Sequence, residues 1–153
     1  MNNQELKAKI ESFGIEITFP EEETQFLTLT VNPSKLHELA KQLKEDNDTS
    51  FDYMFCQAGI DWEEYFEVIY HLRSTTHGHE VVVRTQITDR ESPTVDSVYN
   101  LWKTADFHER EIFDLLGIKF NTHPDLRRIF LDDDWEGFPL RKDYKDDINI
   151  VEL

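Results

Sequence analysis

The chain has 153 residues, 39% hydrophobic and 31% charged, with a formal net charge of −16 at neutral pH. That length supports one core-bearing domain, alone or with an extension. So acidic a composition argues against a nucleic-acid or anionic-membrane binder, since both need clustered basic residues.

Leu6, Ile10 and Phe13 share one helical face and Gly14 is placed to end it, so a helix is expected over residues 2–13. Strands follow at 15–19 and 26–31, the second alternating Leu27, Leu29 and Val31 with Thr28 and Thr30 around an acidic turn at 21–23. Asn32 then caps a helix over 33–44, with Pro33 at its first position and Leu36, Leu39, Ala40 and Leu43 on the buried face. Three more strands are expected at 51–57, 65–73 and 80–88, and the short polar loops 58–63 and 74–79 suit antiparallel neighbours. Ser92-Pro93 opens another helix, where Val95, Val98, Tyr99 and Trp102 fall at i, i+3, i+4 and i+7. Asp106 is placed to cap a last helix, with Glu109 in capping-box position and Gly117 beyond the end. The order predicts an α+β domain over 1–120: a mainly antiparallel sheet with helices on one face, then two further helices. From Asn121 both periodicities fade, and an extended tail over 121–153 with short local turns is expected.

Chemistry is thinly represented. Five scattered glycines build no phosphate-binding loop, and no Gly-x-Ser-x-Gly elbow exists. Cys56 is the lone cysteine, which excludes an internal disulfide and any cluster of several thiolates; its apolar neighbours Met54 and Phe55 suggest a core thiol. No apolar run approaches the roughly 20 residues of a membrane span, and no signal peptide is expected. His108, Glu109, Glu111 and Asp114 crowd one helix and could share an ion or serve acid–base chemistry. The spacing equally makes Arg110–Asp114 an i,i+4 ion pair, with Glu109, in register with Ile112, Phe113 and Leu116, capping its own helix or meeting a tail arginine. His77 and His79 read as polar turn residues rather than ligands. Asp132, Asp133 and Asp134 offer oxygen ligands, but adjacent side chains of an extended segment point alternately, which favours a solvated run.

The tail is different in kind. Arg127, Arg128, Arg141 and Lys142 are interleaved with Ile129, Phe130, Trp135, Phe138 and Leu140. Guanidinium forks bind carboxylates at two points and aromatic anchors supply most interface energy, so the tail reads as a partner-binding element, the alternative being that it wraps its own domain. His123, Pro124 and Asp125 form a bend that aims it, with His123 bonded to backbone or carboxylate.

The run Glu109, Arg110, Glu111, Asp114, Leu115, Gly117, Ile118 is followed by His123, Pro124, Asp125, Leu126, Arg127, Arg128, Ile129 and by Asp133, Asp134, Trp135, Glu136, Gly137, Pro139, Leu140, Arg141, Lys142. These residues closely resemble the C subunit of NADH–quinone oxidoreductase, the 30-kDa subunit family of respiratory complex I. The resemblance is sharpest over 105–144. It implies a non-catalytic, peripheral-arm subunit of a proton-translocating enzyme that passes electrons from NADH to quinone. It implies no flavin, iron–sulfur cluster, metal or quinone ligand in this chain. The implied partners are the hydrogenase-like large (D) subunit and neighbouring iron–sulfur subunits, with no nucleic acid and no membrane span. The implied place is the cytoplasmic side of the bacterial inner membrane, peripheral through the complex. Ending soon after Tyr144, the chain is expected to be a stand-alone subunit rather than a form fused to the large one. The equivalent subunit of an energy-converting hydrogenase or a ferredoxin- or F420-linked dehydrogenase fits the same residues. An independent metal-dependent hydrolase built on His108, Glu111 and Asp114 is the third reading.

Overall fold

The computed structural model describes residues 1–145. The part of the expected tail from residue 146 onward lies outside them. In chain order the elements are α1 (Asn3–Glu11), β1 (Ile17–Thr18), β2 (Leu27–Val31), α2 (Leu36–Glu45), β3 (Tyr53–Asp61), β4 (Phe66–Arg73), β5 (Glu80–Ile87), β6 (Thr94–Asp96), α3 (Ala105–Leu116) and β7 (Lys119–Asn121). A single 3-10 turn, Pro33–Lys35, leads into α2, with the Asn32 side chain accepting from the Ser34 N–H. Asn2 and Glu5 form a reciprocal capping box on α1.

β1 to β5 form one sheet in the order β1-β2-β5-β4-β3. Its β1–β2, β3–β4 and β4–β5 pairings are antiparallel, as expected, but β2–β5 is parallel. Alternation fixes which side chains face inward; it does not fix strand direction, and β5 returns to the far side of the β3–β4 hairpin beside β2. Leu29, Val83, Tyr70 and Gln57 stand side by side across four strands, so their face is common. That face buries Leu27, Leu29, Val31, Phe66, Val68, Tyr70, Leu72, Val81 and Val83 against Leu6 and Ile10 of α1 and Leu36, Leu39 and Leu43 of α2. Both helices therefore lie on one side. At roughly 1.5–3 kcal/mol for each large side chain withdrawn from water, this layer dominates the stability of the domain.

Three expectations change. The hairpin at 58–63 is shorter, because β3 continues to Asp61 and the turn closes through a Trp62 N–H to Tyr65 carbonyl bond. A β-bulge between Met54 and Cys56 shifts the register there, and Cys56 is half-buried rather than in the core. No helix forms over 92–102. Val95 instead sits in β6, paired in parallel with Phe120 of β7, and 97–104 is a run of turns. Its helix-like spacing is met by one strand residue and three turn residues that all pack on the core. Ser97 and its neighbours bond locally: the Tyr99 N–H donates to Ser97 Oγ, which competes with a helical ladder.

Candidate functional site

α3 lies over β3, and Gly59 permits the approach. A Cβ at that position would stand 2.7 Å from Leu116 and 3.0 Å from Ile112. Glu109 shares this inward stripe and is 0% exposed. Its carboxylate accepts from Gln57 Nε2 of β3 (3.1 Å), from the Val98 N–H (3.1 Å) and from Ser97 Oγ. Burial pushes the Glu109 carboxyl above its ordinary value, against the pull of those donors. Glu109 thus neither caps its helix nor meets a tail arginine. Thr104 stands at the N-cap but its side chain makes no capping bond, its hydroxyl donating to the Met54 carbonyl instead. Beside this cluster, burial and the Glu109 charge raise the Tyr70 phenol well above its usual range.

The second centre is Asp114, also 0% exposed. Its Oδ2 accepts from the N–H groups of Ile129 (3.1 Å), Phe130 (2.7 Å) and Leu131 (3.2 Å), and its Oδ1 from Arg128 Nη1 (3.0 Å). Burial raises this carboxyl, but the Phe130 and Leu131 N–H groups, Arg128 and Ile129 outweigh it and hold it below the usual range. Arg110 does not form the i,i+4 pair with Asp114; it donates to the Arg127 and Arg128 carbonyls. Nor does Arg128 hold a fork out for a partner's carboxylate. Its other bonds go to the carbonyls of Asp114, Trp135 and Gly137, all within its own chain.

Residues 122–145 therefore form a strap drawn back across α3. Leu140 N–H donates to the Leu115 carbonyl and Arg141 Nε to the Leu116 carbonyl at 2.6 Å, satisfying carbonyls that a helix C-terminus leaves free. A ladder of alternating guanidinium and phenyl groups runs through the strap. Arg90 lies 4.4 Å from the Phe66 ring, Arg141 lies 5.1 Å from Phe66 and 4.8 Å from Phe138, and Arg128 lies 5.0 Å from Phe138. Asp61 anchors its end, holding Arg90 through two bonds (2.6 and 3.0 Å) and accepting from the Lys142 N–H. The Arg90 bonds, against burial, hold Asp61 far below the ordinary carboxylate range. Gly117 caps α3 at φ +77°, and a Cβ there would lie 2.5 Å from the Phe138 ring.

The bend residues are built in as well. His123 Nε2 meets the Asp106 carbonyl at 3.2 Å and its carboxylate at 3.3 Å, while Nδ1 accepts from the Asp125 N–H. Arg127 pairs with Asp125 at 2.9 Å. Lys142 Nζ reaches Glu63 at 3.8 Å, and Pro139 is half-buried. Trp135 is half-buried, its backbone N–H bonded to the Asp132 carbonyl, whereas Asp133 and Glu136 are exposed. Gln57, Ser97, Asp61 and Arg90 were not legible as site residues. Glu109 in an apolar stripe signals a buried carboxylate needing donors, but nothing local identifies those donors.

The helix-borne metal reading loses one of its ligands. Asp114 is engaged by Arg128 and three N–H groups, so it cannot join His108 and Glu111. His77 and His79 each bond a backbone carbonyl, of Asn47 and Thr49. Among the described residues no three His, Cys, Asp or Glu side chains are placed to hold an ion. Among them too, no helix is long and apolar enough to cross a membrane.

The chain is thus an acidic α+β domain with buried carboxylates braced by its own donors and a strap laid over its last helix. Residues 29–148 match the family described as respiratory-chain NADH dehydrogenase, 30 Kd subunit, and the chain belongs to that family. The chain is 45% identical over 126 residues to the C/D subunit of the NADH-quinone oxidoreductase of Phocaeicola vulgatus, covering 82% of this chain and 24% of that protein. It is 46% identical over 105 residues to the C subunit of the same enzyme in Chloroherpeton thalassium, covering 67% and 43%. Against the C subunit of Chlorobium phaeobacteroides it is 38% identical over 139 residues, covering 88% and 83%. The matches to the first two thus span less than half the length of those proteins. A chain in the structure of the membrane-bound sulfane sulfur reductase, an archaeal respiratory membrane complex, shares the fold with a TM-score of 0.80 at 24% identity, over 95% of this chain and 86% of that one.

Proposed function

We propose that this chain is a non-catalytic peripheral-arm subunit of a proton-translocating NADH–quinone oxidoreductase, joined through its strap face to the hydrogenase-like large subunit and beside the iron–sulfur subunits. Family membership over 29–148 carries the reading. The geometry supports it, because the carboxylate clusters are braced internally and the strap forms one firm surface. Flavin, iron–sulfur clusters and quinone belong to neighbouring subunits, and the lone Cys56 fits that division. The chain sits at the cytoplasmic side of the bacterial inner membrane and is held there through the complex.

The test has two arms. Deleting the chain in its native host is expected to abolish NADH–quinone activity of the membranes, restored by the intact chain. The purified chain is expected to show no visible absorption band and no stoichiometric metal. Membranes that keep full activity without the chain would refute the subunit role. A bound chromophore or one metal per chain would refute the non-catalytic one.

A further inference from the structure

We infer that the outward face of α3 and the strap is a docking surface for a protein whose contact face is basic and offers apolar sockets for Phe107 and Phe130. This sharpens the subunit reading and rests on it. Phe107 is 66% exposed and Phe130 64%, and large aromatic side chains are enriched at interfaces. Both are tied to α3 and the strap by the same contacts. The Arg110 guanidinium lies 5.8 Å from the Phe107 ring and donates to the Arg127 and Arg128 carbonyls. Asp114, seven residues after Phe107 and so about 10 Å along the helix axis, holds the Phe130 N–H at 2.7 Å. Both phenyl groups are therefore presented from braced backbone, which lowers the entropy lost on binding.

The rim decides the sign of the partner. Arg128 and Arg141 turn inward, and Arg127 is paired with Asp125. Asp132, Asp133, Asp134 and Glu136 remain exposed, and no ion pair engages them among the described residues. Aromatic anchors set how long a complex lasts; rim charges set its rate of formation and its salt dependence. A second copy would set acid against acid, and an anionic bilayer would repel the same rim.

The experiment captures the complex from native-host membranes through a tag on the large subunit and measures how much of this chain is retained at low and high salt. With Phe107→Ser and Phe130→Ser together, retention is expected to fall at least ~10-fold, while circular dichroism and melting of the separately purified variant stay as in wild type. Phe130→Leu should restore most retention. Asp132→Asn, Asp133→Asn and Asp134→Asn together should weaken the dependence of retention on salt. Undiminished capture of the double Ser variant overturns this surface alone. Phe130-dependent dimerisation of the chain, or binding to anionic vesicles, overturns it as well. If the wild-type chain is not captured at all, the subunit reading falls with it.

Discussion

At the scale of residues, two buried carboxylates do opposite things. Glu109 is buried to satisfy three donors on three residues, and removing it leaves Gln57, Ser97 and the Val98 N–H without their acceptor. An unsatisfied buried donor costs ~1–3 kcal/mol, so Glu109→Ala should lower the unfolding free energy by about 4 kcal/mol in urea titrations. The charge itself is a liability. Because the folded value of Glu109 is raised above its ordinary 4.5, its favourable contribution is complete below that value and lost as pH rises through the folded one. Asp114 and Asp61 run the other way. Their folded values lie below the ordinary 3.8, so their contribution is present above it and lost as pH falls through the lower folded values. Both hold the strap, so acid should release residues 128–142 before the sheet melts. Backbone NMR shifts of the strap and of β4, followed down the acid range, check the order; simultaneous loss would refute it. Much of this scale was not legible. The spacing of Arg110 and Asp114 is that of an ion pair, yet a partner 14 residues away, Arg128, together with three backbone donors, wins because Asp114 faces the strap.

The elements were easier to read where one rule acted alone. α1, α2 and the inward faces of β2, β4 and β5 follow from period and cap, and the structure keeps them. The stretch 92–102 fails because helical spacing can be met by a strand followed by turns, once β7 supplies a ladder to β6 that no local signal announces. The strap is the element that sequence left most open. Its lack of periodicity was legible, its guanidinium–phenyl ladder was not, since Arg90 and Phe66 lie far from Phe138 and Arg141 in the chain. Phe138→Leu keeps bulk but removes two cation–π contacts, worth about 1–2 kcal/mol together in a partly desolvated site. Faster proteolysis within 128–142, with an unchanged rate in 66–87, is the expected outcome. Equal protection in both regions would mean the ladder does not hold the strap.

For the whole molecule, the internal bracing defines what remains for others. Glu109, Asp114 and Asp61 are matched by donors of their own chain, while α3 exposes Phe107 and the strap exposes Phe130 beside an acidic rim. The most direct check is the native mass of the tagged full-length chain extracted in mild detergent from membranes of its host. Elution with the hydrogenase-like large subunit, in one-to-one ratio and in a particle that reduces quinone with NADH, is expected. A chain that elutes near its own 18.2 kDa, with no other subunit beside it, would overturn its assignment as a structural subunit of the complex.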